Sequence, residues 1–166
     1  NEFLHTDFTE NVLAIVKRTG VDPSQLELEI TEGVLLRSIE DTVRVMLKLK
    51  ETGIQFSIDD FGTGYSSLQY LKKLPLEKLK IDQSFVRDIT TDPNDAAIVT
   101  TIIAMTKHLG LNVIAEGVET KDEYQFLSQQ GCEAFQGYYF DRPLTLNDFE
   151  TRLSKTPALQ QPETSE

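Results

Sequence analysis

The feature that most constrains the fold of this chain is a recurrence: a short apolar run of strand length, then a helical segment, repeated from one end to the other. The runs fall at 26–30 (LELEI), 54–58 (IQFSI), 79–81 (LKI), 111–115 (LNVIA) and 134–136 (AFQ). Between them the spacing predicts helices over 38–51, 69–73, 96–109 and 121–130, with a first helix carrying Phe8, Val12, Ile15 and Val16 on one stripe and a last one over 146–153. Val43, Met46, Leu47 and Leu49 are expected to face inward from the 38–51 helix. Gly20, Gly53, Gly110 and Gly131 stand where those helices should stop. The segment 156–166 is polar and proline-containing and reads as a disordered tail, leaving 1–155 as one domain.

Alternating strands and helices imply a parallel sheet, either closed as a barrel or open and doubly wound. Polar residues at the strand ends favour the barrel. Each predicted strand finishes at a side chain suited to metal binding or acid–base work: Glu29, Asp59 with Asp60, Lys80 with Asp82, Glu116, and Gln136. In a barrel, all strand ends converge on one face. In an open sheet, only the ends near the switch point meet. Five units are too few to close eight strands, which take about 250 residues. The expected architecture is therefore an incomplete TIM-like (β/α) barrel lacking N-terminal strands.

The segment 58–68 reads I-D-D-F-G-T-G-Y-S-S-L. Two adjacent carboxylates at the end of a buried strand repel each other and are costly unless cations offset them. Gly62 and Gly64 let the backbone turn beside them. The competing structural role for Asp60 is a helix N-cap. Glu29 and Glu32, in E-I-T-E, suit a barrel mouth and the loop after it, or else a capping box. Lys80, between apolar residues in K-I-D, is suited to stabilising charge on a phosphate. With Lys72, Lys73 and Lys78 nearby, it equally suits a surface strand. Glu116 and Glu119, in A-E-G-V-E-T, follow the most apolar strand, with helix capping near Thr120 as their alternative. Gln136, before Gly137, is as well explained by packing. His5 and His108 have no partner at ligand spacing, and Cys132 has no nearby histidine and belongs in a core.

Composition excludes some functions. The net charge of −11 argues against binding duplex nucleic acid, which needs a basic footprint. An acidic chain still accepts an anionic ligand when metal ions intervene. A single cysteine forms no internal disulfide and fits a reducing, cytoplasmic setting. No run is long enough for a membrane span, so no membrane contact is expected from this segment.

Taken together, E-I-T-E at Glu29, D-D-F-G-T-G-Y-S-S-L at Asp59, L-K-I-D-Q-S-F-V at Leu79, V-I-A-E-G-V-E-T at Val113 and F-Q-G-Y-Y-F-D-R-P-L at Phe135 closely resemble the EAL-domain cyclic di-GMP phosphodiesterases. The resemblance implies a TIM-like barrel with one reversed strand, two Mg²⁺ or Mn²⁺ ions, and hydrolysis of cyclic di-GMP to the linear dinucleotide. It implies Glu29 as a ligand of the first metal, Asp59 as the bridge, and Asp60 and Glu116 as ligands of the second. Lys80 would hold the attacking water, with Glu116 also a candidate general base. Glu32 would organise the loop after Asp60, and Asp82, Glu119 and Gln136 would support the ligands or face substrate. A homodimer is implied as well.

The family's Glu-Ala-Leu motif with its arginine, and its Asn-x-Ser ligand segment, are absent from these residues. The resemblance therefore implies that the 166 residues hold part of a site and turn over little by themselves. Beside the enzyme stand a module that binds the nucleotide without cleaving it and a protein-interaction segment without ligand.

Overall fold

In the computed structural model, residues 3, 5, 7–35, 38–62 and 68–155 are described. Asn1, Gly64 and the expected tail at 156–166 lie outside them. Helix α1 (Phe8–Thr19) is followed by a single 3₁₀ turn (Pro23–Gln25) and strand β1 (Glu27–Thr31). Next come α2 (Glu32–Leu35), α3 (Ile39–Lys50), β2 (Gln55–Phe61), α4 (Leu68–Leu71) and β3 (Lys78–Ile81). The chain continues through α5 (Gln83–Arg87), α6 (Pro93–Leu109), β4 (Asn112–Glu116), α7 (Lys121–Gln129), β5 (Ala134–Gln136) and α8 (Leu146–Lys155).

All five strands are parallel, and their order in the sheet is their order in the chain. Sequential order without a reversal is the winding of a barrel; a doubly wound sheet changes direction at a switch point. Among the described residues no strand is reversed, and β1 and β5 each pair on one side only, so the sheet is an open arc of an α/β barrel.

The strands are buried through Ile30, Phe56, Ile58, Leu79, Ile81 and Ala115, and the helices cover them with Met46, Leu49, Val99, Ile102, Ile103 and Leu127. Leu79 and Ile81 lie on one side of β3, which sends Lys80 to the other because side chains alternate across a strand.

Two expected core positions are corrected. Ile15 is 51% exposed and Leu47 is 49% exposed. In α1 the covered face runs through Phe8, Thr9, Val12, Leu13 and Val16, and in α3 through Ile39, Thr42, Val43, Met46 and Leu49. At 100° per residue, Leu47 falls off its face and Ile15 lies at the outer edge of its own, about 20° beyond Phe8. Helix α6 begins at Pro93, three residues before the expected start, because Asp92 caps it by accepting from the Asn94 N–H at 2.8 Å, with proline in the first turn. Among the described residues, no helix is long and apolar enough to cross a membrane.

Candidate functional site

Parallel strands all point the same way, so their C-terminal ends share one rim. On that rim, one oxygen from each of Asp59, Asp60 and Glu116 lies within 4.8 Å of the others. A regular strand would send Asp59 and Asp60 to opposite faces. Here the pairing of β2 with β3 slips between Ile58 and Phe61, and Asp60 adopts φ 54°, the left-handed region. This irregularity turns both carboxylates toward the same opening. A non-glycine residue in that conformation costs on the order of 1 kcal/mol or more, and aspartate tolerates it better than most. Asp60 lies inside β2, so it is not a helix N-cap.

Lys80 is 6% exposed and is not a surface lysine. Its Nζ is 2.8 Å from Glu29 Oε1, 3.0 Å from Asp59 Oδ1 and 2.7 Å from Glu116 Oε1. Burial works against its charge, but hydrogen bonds to Glu116, Glu29 and Asp59 outweigh it and hold Lys80 above the ordinary lysine range. Burial raises Glu116 above the usual carboxylate range, although Lys80 opposes the shift. Partial desolvation raises Asp60 too, helped by the charge of Asp59 and the neighbouring Asp82 carboxyl. Asp82 ends below its usual value: burial opposes ionisation, but hydrogen bonds from the Ser84 hydroxyl and N–H overcome it.

The remaining expected residues divide into two groups. Asp82, Glu119 and Gln136 line a cleft of about 810 Å³ together with Asp60 and Glu116. Glu32 does not line it. It is 4% exposed at the start of α2, and its Oε2 accepts from the Gly62 N–H at 3.4 Å, just beyond the acidic pair. Helix α7 is capped by Thr120 and Glu123 rather than by Glu116 or Glu119. Glu123 Oε2 also accepts from the Glu119 N–H at 2.7 Å, tying the cap to the cleft wall.

Sequence reasoning missed part of the cleft lining. Tyr138, Arg142, Phe149 and Arg152 line the cleft, with the Arg142 guanidinium 4.6 Å from the centre of the Tyr138 ring. Arg152 Nη2 reaches Asp141 Oδ2 at 2.6 Å. The one available signal was the aromatic run beside a single arginine in F-Q-G-Y-Y-F-D-R-P-L, which covers Tyr138 and Arg142 but not Phe149 or Arg152. The volume and mixed lining suit a small polar ligand.

The donor set fits a divalent cation. Hard oxygen ligands suit Mg²⁺, Mn²⁺ or Ca²⁺, and the three carboxylates converge within reach of a single ion.

The family model for the EAL domain matches residues 1–143. Cyclic di-GMP phosphodiesterase NbdA of Pseudomonas aeruginosa is 47% identical over 141 residues, covering 85% of this chain and 18% of that protein. The bifunctional diguanylate cyclase/cyclic di-GMP phosphodiesterase MucR of the same organism is 42% identical over 143 residues, covering 86% of this chain and 21% of MucR. The chain thus spans about a fifth of the length of these relatives. Among solved structures, the cyclic di-GMP complex of the MucR phosphodiesterase superposes with a TM-score of 0.86 at 40% identity, covering 89% of this chain and 60% of that one. A manganese and cyclic di-GMP complex of Klebsiella pneumoniae BlrP1 gives 0.78 at 34% identity, covering 86% and 36%.

Proposed function

This chain belongs to the EAL domain family, and from that premise we propose that it supplies the acidic face of a phosphodiesterase that hydrolyses cyclic di-GMP to the linear dinucleotide. The observation that carries the proposal is the convergence of Asp59, Asp60 and Glu116 beside the buried Lys80.

Asp59, Asp60 and Glu116 would hold one divalent cation, Mg²⁺ or Mn²⁺, and Glu29 with Asp59 would contribute to a second. When bound, such ions lower the pKa of a water and offset phosphate charge. Lys80 stays protonated at neutral pH and serves as a hydrogen-bond donor to the attacking water or a phosphate oxygen, not as a base. Glu116, whose carboxylate lies 2.7 Å from Lys80 Nζ, is the candidate proton acceptor. The water oxygen would bond to phosphorus as one P–O ester bond breaks, the water proton would pass to Glu116, and Glu116 would return it through solvent to the leaving oxygen. Glu32 would organise the loop after Asp60. Asp82, Glu119 and Gln136, with Tyr138 and Arg142, would orient the nucleotide. Residues 1–155 would form one domain. A homodimer in the cytoplasm completes the proposal, and the buried free Cys132 fits a reducing compartment.

A second reading is a module that binds cyclic di-GMP without cleaving it. One observation favours it: the described residues bring three carboxylate ligands together, enough for one cation, whereas in-line displacement commonly uses two. Incubation with cyclic di-GMP and Mn²⁺, followed by chromatography for the linear product, separates the readings. An EAL-domain protein containing this chain is expected to form product, and the 166 residues alone little or none. Binding without product from the longer protein, where an active relative turns over, would sink the enzyme reading. Efficient turnover by the 166 residues would sink the expectation for the chain alone.

A further inference from the structure

Helix α5 packs against β4 and α6, and the fully buried Val86 fixes it in the core. From that position it reaches both acidic turns of the site. Gln83 lies against Gly117, directly after Glu116: a Cβ placed on Gly117 would come within 2.5 Å of Gln83 Cβ. Phe85 lies against Gly62, two residues after Asp60: a Cβ there would come within 2.8 Å of Phe85 Cε2 and 3.4 Å of Cζ. Gly62 has φ 106°, and its N–H is directed at the buried Glu32. The turn that presents Asp59 and Asp60 on one side is therefore bounded by a carboxylate and by an aromatic ring from a helix more than twenty residues later. Phe85 carries no ligand atom for a cation and is not among the residues lining the cleft.

The geometry points to Phe85 as a positioning residue for divalent-cation binding, bracing the Gly62 turn so that Asp60 keeps its left-handed, inward-facing conformation. An unusual backbone conformation persists only where its surroundings over-determine it, and the Phe85 ring is the apolar part of those surroundings. Outer residues that orient metal ligands typically alter metal affinity about 10- to 100-fold when removed. The inference rests on the acidic cluster being a cation site.

The test is Mn²⁺ titration of the folded chain by calorimetry, with thermal unfolding in chelator as the companion measurement. Phe85→Ala is expected to weaken Mn²⁺ binding at least tenfold. Val86→Ala removes core contacts from the same helix while keeping the Phe85 ring, and is expected to lower the unfolding midpoint while leaving Mn²⁺ affinity within a few-fold. If Phe85→Ala does not fold, Phe85→Leu, which keeps apolar volume but not the ring, is held to the same tenfold criterion. A loss smaller than tenfold at Phe85, or an equal loss at Val86, overturns the brace while leaving the cation site standing. A wild-type chain that does not bind Mn²⁺ overturns both.

Discussion

Lys80 Nζ sits 2.7 Å from Glu116 Oε1, in a pocket that leaves the lysine 6% exposed. With Glu29 and Asp59 also within 3.0 Å, the ammonium group acts as an internal counter-ion to the acidic rim. A conversion to Met leaves those carboxylates without their cation. Removing one partner from a buried charge cluster costs about 3–5 kcal/mol, with the lower end expected here because Glu29 is half exposed. Urea unfolding of Lys80→Met in chelator should show a loss of about 3 kcal/mol, with Mn²⁺ restoring part of it. A variant as stable as wild type without metal would rule out the counter-ion role.

The raised carboxyls of Asp60 and Glu116 carry a pH signature. A carboxyl whose folded-state pKa lies above its unfolded value holds its proton more tightly when folded. Its contribution is present at low pH and is lost as pH rises above about 4, when the unfolded chain ionises first. Metal-free protein should therefore lose stability from this pair as pH rises above about 4. Asp60→Asn should flatten that slope and leave the metal-free midpoint at pH 7 unchanged or slightly higher, a small effect because solvent screens this exposed carboxyl. Mn²⁺ should stabilise wild type and not this variant, since ion binding requires the ionised carboxylates. Unchanged melting curves across pH in both proteins would contradict this assignment.

Gly137 is predicted to resist any side chain. A Cβ there would fall 2.1 Å from Val118 O and 2.3 Å from Val118 N, where Val118 N–H donates to Gln136 O at 3.1 Å and Tyr139 N–H donates to Val118 O at 2.9 Å. Gly137→Ala should cost about 3 kcal/mol in denaturant unfolding because it separates β5 from the loop after Glu116. Gly33, in α2 with nothing within 4 Å of its Cβ position, gives the contrast: Gly33→Ala should be neutral or stabilising by up to about 1 kcal/mol. Equal losses at both positions would show that the close approach is not what matters.

The start of α7 should be asymmetrically sensitive. Thr120 Oγ1 accepts one bond, from the Glu123 N–H, whereas the buried Glu123 carboxylate accepts two, from the Glu119 and Thr120 N–H groups. Thr120→Ala should cost about 1 kcal/mol, an ordinary cap loss. Glu123→Ala should cost about 2 kcal/mol, because it strands two backbone donors. Chemical denaturation of the two variants gives the comparison, and the reverse ranking would contradict it.

Much of the site was legible because of how parallel sheets are built. Once the apolar runs are read as successive βα strands, their C-terminal residues must share a rim, and Glu29, Asp59, Asp60, Lys80 and Glu116 are found there. Chain order alone also separates neither Lys80 from its lysine-rich surroundings nor Ile15 and Leu47 from the core. Which face of a helix is covered depends on where the sheet lies, not on its apolar period.

The sequence by itself determined the recurrence of strands and helices, and with it the chemistry available at each strand end, because periodicity and residue type are local properties. Only the tertiary structure decided that two consecutive aspartates face the same way, since that depends on a pairing slip against β3 and on the φ of Asp60. The tertiary structure likewise decided that one lysine is shared by three carboxylates, and that α5 reaches from beyond β3 to Gly62 and Gly117. Those contacts join residues far apart in the chain, and no local pattern encodes the distance between them.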